Sequence, residues 1–409
     1  MKYAPFIKKY PRQLSFGFTH SFFSALGQTF IFALFVPEFE KSFNLSPAES
    51  GSYYGAATLL SGFLLFYTGS LIDKINLRTF ATAVVACITL GALLMFLNTG
   101  SLALLILAII LLRHAGQGLM VHIGSVSVSK YFTQNRGKAL SIVGMGISLS
   151  TMTLPFIVAK LIEIFGWQIT YALLGAVTLF VCLTLSYSLF KKEDKFLHPH
   201  LTDDEQHPTF LDEKELNWGR KQLISHPHFW MLLPFVLAPG YFITAVTFHQ
   251  GLVAEMQGWT MQHIAAAFVA YGIGAFAMNF AIGPLIDKFS GNFIQKFALL
   301  PFILCGGVLF MGNHPALAYV YLGIMGLGVG WGAATLAMWT EVYGRRHVGA
   351  IKSFINTIVI IGTAAAPIVF GFMVDYGLSV EVTLLIHMGY MAIATILAVF
   401  APLPTNIKR

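Results

Sequence analysis

The sequence predicts an all-α polytopic membrane protein of twelve transmembrane helices, arranged as two pseudo-symmetric six-helix bundles. Three observations predict it: an apolar composition, twelve bilayer-length runs split six and six by a polar stretch, and an internal repeat that carries the first six onto the second. Of 409 residues, 56% are hydrophobic and only 11% charged, against roughly 25% charged residues in an average soluble domain. Cys87, Cys182 and Cys305 all fall inside apolar runs and read as small core residues.

Runs of about 20 apolar residues, the length that spans a bilayer, begin near Leu14, Gly51, Thr79, Ser101, Gly137 and Trp167, and again near Phe229, Thr260, Phe293, Pro315, Gly349 and Leu378. Lys8, Lys9 and Arg12 precede the first run, which is too long for the h-region of a cleavable signal and is read as a span. Between the two sets lies a charged stretch, including Lys191, Lys192, Glu193, Asp194 and Lys195. It reads as a linker. The expected organisation is a bundle over 1–190, a linker over 191–226 and a second bundle over 227–409. His198, His200, His226 and His228 show His-x-His spacing there, but no cysteine is near, and they read as loop histidines with no metal site.

Basic residues set the expected orientation. Lys and Arg concentrate in the N-terminal tail, in alternate loops (Lys74, Arg78; Lys130, Arg136, Lys138; Lys288, Lys296; Arg345, Arg346, Lys352), in the linker and in the C-terminal tail. Of the 25 Lys and Arg residues, only Lys41, Lys160 and Arg113 lie elsewhere. The positive-inside rule therefore puts both termini and the linker in the cytoplasm, with the chain multi-pass in the cell's inner or plasma membrane. The net charge of +7 is a topology signal and gives no reason to invoke nucleic acid.

The halves match at a nearly constant offset. Gly69-Ser-Leu-Ile-Asp73-Lys74 recurs as Gly283-Pro-Leu-Ile-Asp287-Lys288, and Gly137 to Ser141 recurs loosely as Gly349 to Ser353. At an offset of 212, Gly116, Gly118, Tyr131, Thr151 and Pro155 meet Gly328, Gly330, Tyr343, Thr363 and Pro367. Parallel six-helix repeats joined by a cytoplasmic loop are the known arrangement of the major facilitator superfamily, which this chain resembles over nearly its whole length. The loop after the second helix, with Gly69, Asp73, Lys74 and Arg78, resembles that family's G-x-x-x-D-[RK]-x-G-[RK]-[RK] signature. It departs from the signature at Asn76, where Gly is usual, and at Leu77, where a base is usual. Physically, Gly69 and Gly283 would let helices approach closely, and Asp73 or Asp287 would sit against the positive N-terminal end of a neighbouring helix. The resemblance implies that these residues, with Lys74, Arg78 and Lys288, gate the transporter and do not touch substrate.

Finer features resemble branches of the family. Arg113-His-Ala-Gly116-Gln117-Gly118 is similar to the fourth-helix R-x-x-Q-G pattern, with Gln117 and Gly118 one residue late. His228-Phe-Trp230 entering the seventh helix, with His249 near its far end, resembles the monocarboxylate-porter-like branch. The fifth helix holds Pro155 but neither a Gly-Pro nor a Gly-Gly pair, so it lacks the antiporter signature of drug exporters.

Arg113 carries the chemistry. It lies twelve residues after Ser101 and seventeen before Lys130, about 18 and 25 Å along a helix, too far to snorkel to either interface. A guanidinium at that depth costs at least about 2.5–3.5 kcal/mol and is ordinarily retained for function. All 18 acidic residues fall in loops or at helix ends, and the residue equivalent to Arg113 in the second half is Met325. One reading makes Arg113 the contact for an anionic substrate, since guanidinium matches carboxylate or phosphate in bidentate geometry. The other has it bind backbone carbonyls and polar neighbours and hold the cavity wall. Further substrate candidates are Gln117 on the same helical face, His20 and Gln28 on the first helix, Tyr241, Thr244 and His249 on the seventh, and Asn356 on the eleventh. His122 is expected to pack against a neighbouring helix.

Together these features predict a secondary active transporter for a small organic anion, a carboxylate, working by alternating access as a monomer without a cofactor. Coupling to protons follows from the inventory: with no membrane-embedded carboxylate, protons would ride on His20, His114 or His249, or on the substrate. The rivals are an exporter of a larger amphipathic compound and a membrane sensor on a transporter scaffold. No nucleophile with base, no H-E-x-x-H and no phosphate loop suggests an enzyme.

Overall fold

The computed structural model describes residues 3–132, 135–190, 196, 218–344 and 348–403. All of its regular structure is helical among those residues. The bulk of the predicted linker, with His198 and His200, lies outside them. Nine helices among the described residues are long and apolar enough to cross a membrane. One of these, Gly137–Ser188, is two spans in one: Gly166 breaks it at φ 78°, ψ 167°, a backbone conformation that favours glycine. The first and tenth spans are built from shorter pieces. Helix 1 runs through Pro11–Phe23, Thr29–Phe32 and Val36–Phe43, and helix 10 through Ala316–Val329 and Gly332–Tyr343.

Contacts divide the chain into two compact units, Met1–Leu45 with Tyr53–Gln206, and Ser46–Ser52 with His207–Arg409. In the first, helix 1 packs on helix 4 (Leu102–Ser129) and helix 5 (137–165), and helix 3 (Leu77–Leu97) on helix 4 and helix 6 (167–188). In the second, helix 7 (Pro227–Phe248) packs on helix 11 (Val348–Asp375) and helix 12 (Val380–Phe400), while helix 8 (Met261–Phe289) packs on helix 10. The pairing of helices 1 with 5 and 7 with 11 is the structural counterpart of the sequence repeat. Phe66, Phe180, Met311, Tyr376 and Phe400 are each more than 70% exposed. Large apolar side chains turned outward in such numbers fit a lipid-facing surface.

Tight crossings are made with glycine, at positions other than those expected. A Cβ at Gly283 would meet nothing within 4 Å, and one at Gly69 would make only ordinary contact with Leu65 and His122. Neither residue therefore serves a close approach here, contrary to the sequence reading. Close approach occurs instead where helix 1 meets helix 4: a Cβ at Gly27 would fall 2.1 Å from the Leu112 carbonyl, and one at Gly116 would fall 2.7 Å from Gly27 Cα.

Candidate functional site

Two irregularities in the first unit hold Arg113. Helix 1 breaks after a 3-10 turn at Ser24–Gly27, and Gln28 is extended at φ −85°, ψ 150°. The break turns the Ile31 amide to the Gln28 carbonyl, which also accepts the Phe32 amide as in an ordinary helix, so the Gly27 carbonyl is not consumed by the Ile31 amide, its usual helical partner. On helix 4, residues Arg113–Met120 form a π-helix, which carries more residues per turn than the flanking α-helix. Gln117 and Gly118, which stand one residue late against the family pattern, lie within that widened stretch.

Arg113 spans the junction. Its Nη1 donates to the Gly27 carbonyl at 2.8 Å and its Nε to Thr58 Oγ1 at 3.1 Å. The guanidinium carbon lies 4.6 Å from the centroid of the Tyr54 ring, a cation–π geometry. Tyr54 in turn pairs its hydroxyl with Thr29 Oγ1 at 2.7 Å. The side chain is 2% exposed, and each of these partners is neutral. The charged group has no carboxylate partner among the described residues, so its charge is not compensated there. The sequence-level alternative, bonding to carbonyls and polar neighbours, is thus realised in this conformation without the charge being neutralised.

The other predicted residues differ in burial. Gln117 and Asn356 are exposed on the surfaces of their units, and Gln28 and Tyr241 are half-buried. His20, Thr244 and His249 are buried. His20 donates from Nδ1 to the Phe16 carbonyl at 2.8 Å, while His249 donates from Nε2 to the Pro367 carbonyl at 2.8 Å. His122 meets the Gly69 carbonyl at 3.0 Å, packing across to the end of helix 2 (Pro47–Thr68). In the second unit, Asn356 lines a cavity of about 510 Å³ with Gln295, Trp331, Thr335, Trp339 and Lys352. Lys352 was counted above as a loop cation. It sits one helical turn before Asn356 and puts a positive group at the wall of this cavity. Another cavity, of about 690 Å³, lies in the same unit beside His228, Asn292, Gln295 and Lys296.

The repeated gating sequences differ in form. The first copy closes helix 2 (Pro47–Thr68) with a 3-10 turn at Gly69–Asp73. Asn76 then caps helix 3, accepting from the Arg78 amide at 2.9 Å, which gives this departure from the family signature a local purpose. Arg78 donates from Nε to the Ser186 carbonyl at 3.2 Å and from Nη2 to the Phe190 carbonyl, binding the end of helix 6. The second copy continues as α-helix through Gly283 to Phe289, with Asp287 and Lys288 exposed. Carboxylates also reach the N-terminal ends of neighbouring helices elsewhere among the described residues. Glu341 accepts from the Gly291 and Asn292 amides at 2.7 and 2.8 Å, and Asp375 accepts from the Ala48 amide at 3.2 Å. No group of residues suited to hold a metal occurs among those described.

Comparison with known proteins agrees with this architecture. No curated protein matches the sequence. Crystal structures of a bacterial homologue of the human lysosomal transporter Spinster share the fold: the inward-facing, unoccupied form matches with a TM-score of 0.71 at 14% identity, covering 96% of this chain and 97% of that one. Its inward-facing, occupied form matches with a TM-score of 0.69 at 16% identity, covering 96% of each chain. The Major Facilitator Superfamily model matches residues 18–337. Together with the helical repeat, that match places the chain in the major facilitator superfamily of membrane transporters.

Proposed function

We propose that the protein is a secondary active transporter that carries a small organic anion, a carboxylate, by alternating access, with protons as the coupling ion. The observation that carries this reading is the buried Arg113, bonded only to neutral acceptors and without a compensating carboxylate among the described residues. A substrate carboxylate would supply the missing charge. Independently, the second unit has a cavity lined by Lys352 and Asn356 with Trp331 and Trp339 beside them, a lining that suits an organic anion with an apolar body. The protein works as a monomer in this reading.

The test is uptake into proteoliposomes of a panel comprising acetate, lactate, pyruvate, benzoate and succinate, with and without an imposed pH gradient. At least one acid is expected to accumulate more strongly with the outside acidic. Flux confined to neutral or cationic solutes would exclude the anion reading, and flux indifferent to pH would exclude proton coupling.

Two further expectations concern gating and orientation. Asp73→Asn and Asp287→Asn should each lower flux at least tenfold while ligand affinity, measured by thermal shift, stays within threefold. An equal loss of binding would place these residues at the substrate. With Cys87, Cys182 and Cys305 replaced, a cysteine at Asn313 should react with an impermeant thiol reagent in intact cells and one at Ser225 should not. The reverse labelling would invert the topology.

A further inference from the structure

Buried polar atoms without partners gather in one part of the second unit. His249, 1% exposed, ends helix 7. Because its Nε2 faces the Pro367 carbonyl at 2.8 Å, that nitrogen carries the hydrogen, and Nδ1 is left as a lone-pair acceptor with no donor. His387 on helix 12 repeats the arrangement. It is 2% exposed, Nδ1 donates to the Thr383 carbonyl at 2.7 Å, and Nε2 is without a partner. The two imidazoles pack on the same ring. Phe370 of helix 11 stacks on His249 at 4.9 Å and lies 5.4 Å from His387. Thr247 Oγ1, Gln250 Nε2 and Thr383 Oγ1, on the elements that carry these histidines, are also buried without partners.

A neutral buried imidazole with one nitrogen bare is an unmet acceptor, a feature a purely structural histidine would ordinarily have resolved. Its lone pair is also the commonest proton acceptor near neutral pH. The surrounding titratable groups are Asp375 at the end of helix 11, Tyr241 stacked on His387 at 5.4 Å, Tyr390 beyond Tyr241, and Tyr321, whose hydroxyl reaches Gln250 at 3.4 Å. Glu49 is turned back onto the Ser46 amide of its own helix start. Asp375 is thus the acidic group that faces His249, and His387 stands across Phe370 from it.

We propose that His249 and His387, joined through Phe370, form the proton-binding site of this transporter: a proton from water bonds to the bare nitrogen of one imidazole when that end of the second unit opens, and leaves it on the other side. This rests on the proton-coupled reading above and names the groups that do the coupling. It separates the proton from the arginine, which stands in the other unit.

The experiment compares two assays in proteoliposomes, using whichever acid of the panel shows the highest flux. Accumulation driven by a pH gradient requires net proton movement, whereas counterflow of labelled acid at equal pH does not. His249→Gln keeps a donor for the Pro367 carbonyl but cannot bind a proton near neutral pH. It should lower gradient-driven accumulation at least tenfold, to the level seen without a gradient, with counterflow within threefold of the parent. His387→Gln should keep accumulation but displace the pH at which it is half-maximal. Accumulation retained in both variants and in the double variant would overturn the proposal, as would loss of counterflow together with accumulation, which would mark the histidines as structural or substrate-binding. A parent protein whose accumulation ignores the gradient would instead bring down the proton-coupled reading itself.

Discussion

Arg113→Gln is expected to lower anion uptake a hundredfold or more. The guanidinium bonds the Gly27 carbonyl and Thr58 and lies over Tyr54. A hydrogen bond to a charged group contributes about 1.5–3 kcal/mol, so loss of a bidentate contact to a substrate carboxylate is on the order of 3 kcal/mol, or about a hundredfold in affinity. Arg113→Lys keeps the charge but not the planar fork, and should fall between the two, roughly tenfold below the parent. Both variants will also lose some thermal stability, because the Gly27 carbonyl and Thr58 lose the guanidinium that bonds them and Tyr54 the planar group over its ring. The separating measurement is ligand-induced thermal stabilisation on the folded fraction. It should vanish in Arg113→Gln; if it persists undiminished while stability drops, the arginine only braces helices 1, 2 and 4.

Much of the architecture was legible because membrane helices are specified by composition over length. An apolar run of bilayer length has no stable alternative to helix inside lipid, and the repeat at Gly69 and Gly283 needed only alignment of the chain with itself. The site was less legible, for reasons that differ residue by residue. The π-helix at Arg113–Met120 left a trace, the one-residue displacement of Gln117 and Gly118, but a displaced motif does not say whether the backbone or the register absorbs the extra residue. Projection at 100° per residue then put Arg113 and Gln117 on one face, whereas one is buried and the other exposed. Lys352 was counted for topology, because a cation near a helix end reads as a loop charge until a cavity is found beside it. His387 carried no motif. Its partnership with His249 runs through Phe370 and exists only in the folded unit.

Glycine gives the second large expectation, since two residues that look alike in sequence should respond in opposite ways to the same change. Gly27→Ala is expected to destabilise the protein severely. The added Cβ would stand 2.1 Å from the Leu112 carbonyl, 2.7 Å from the Gln117 amide and 2.8 Å from Gly116 Cα. All three are backbone atoms, so no rotamer change can relieve the contact and helices 1 and 4 must separate. Overpacking alone costs typically about 1–3 kcal/mol, and separation would add the loss of the Arg113 bond to the Gly27 carbonyl. Gly283→Ala, within helix 8 and with nothing within 4 Å of its Cβ, should instead be neutral or stabilise by about 0.5–1 kcal/mol, because alanine restricts the unfolded chain and suits a helix better. Thermal unfolding of the two purified variants beside the parent decides the matter. A Gly27→Ala protein that melts with the parent would show that the crossing has slack, and with it that the carbonyl bound by Arg113 is not held in place by the glycine pair.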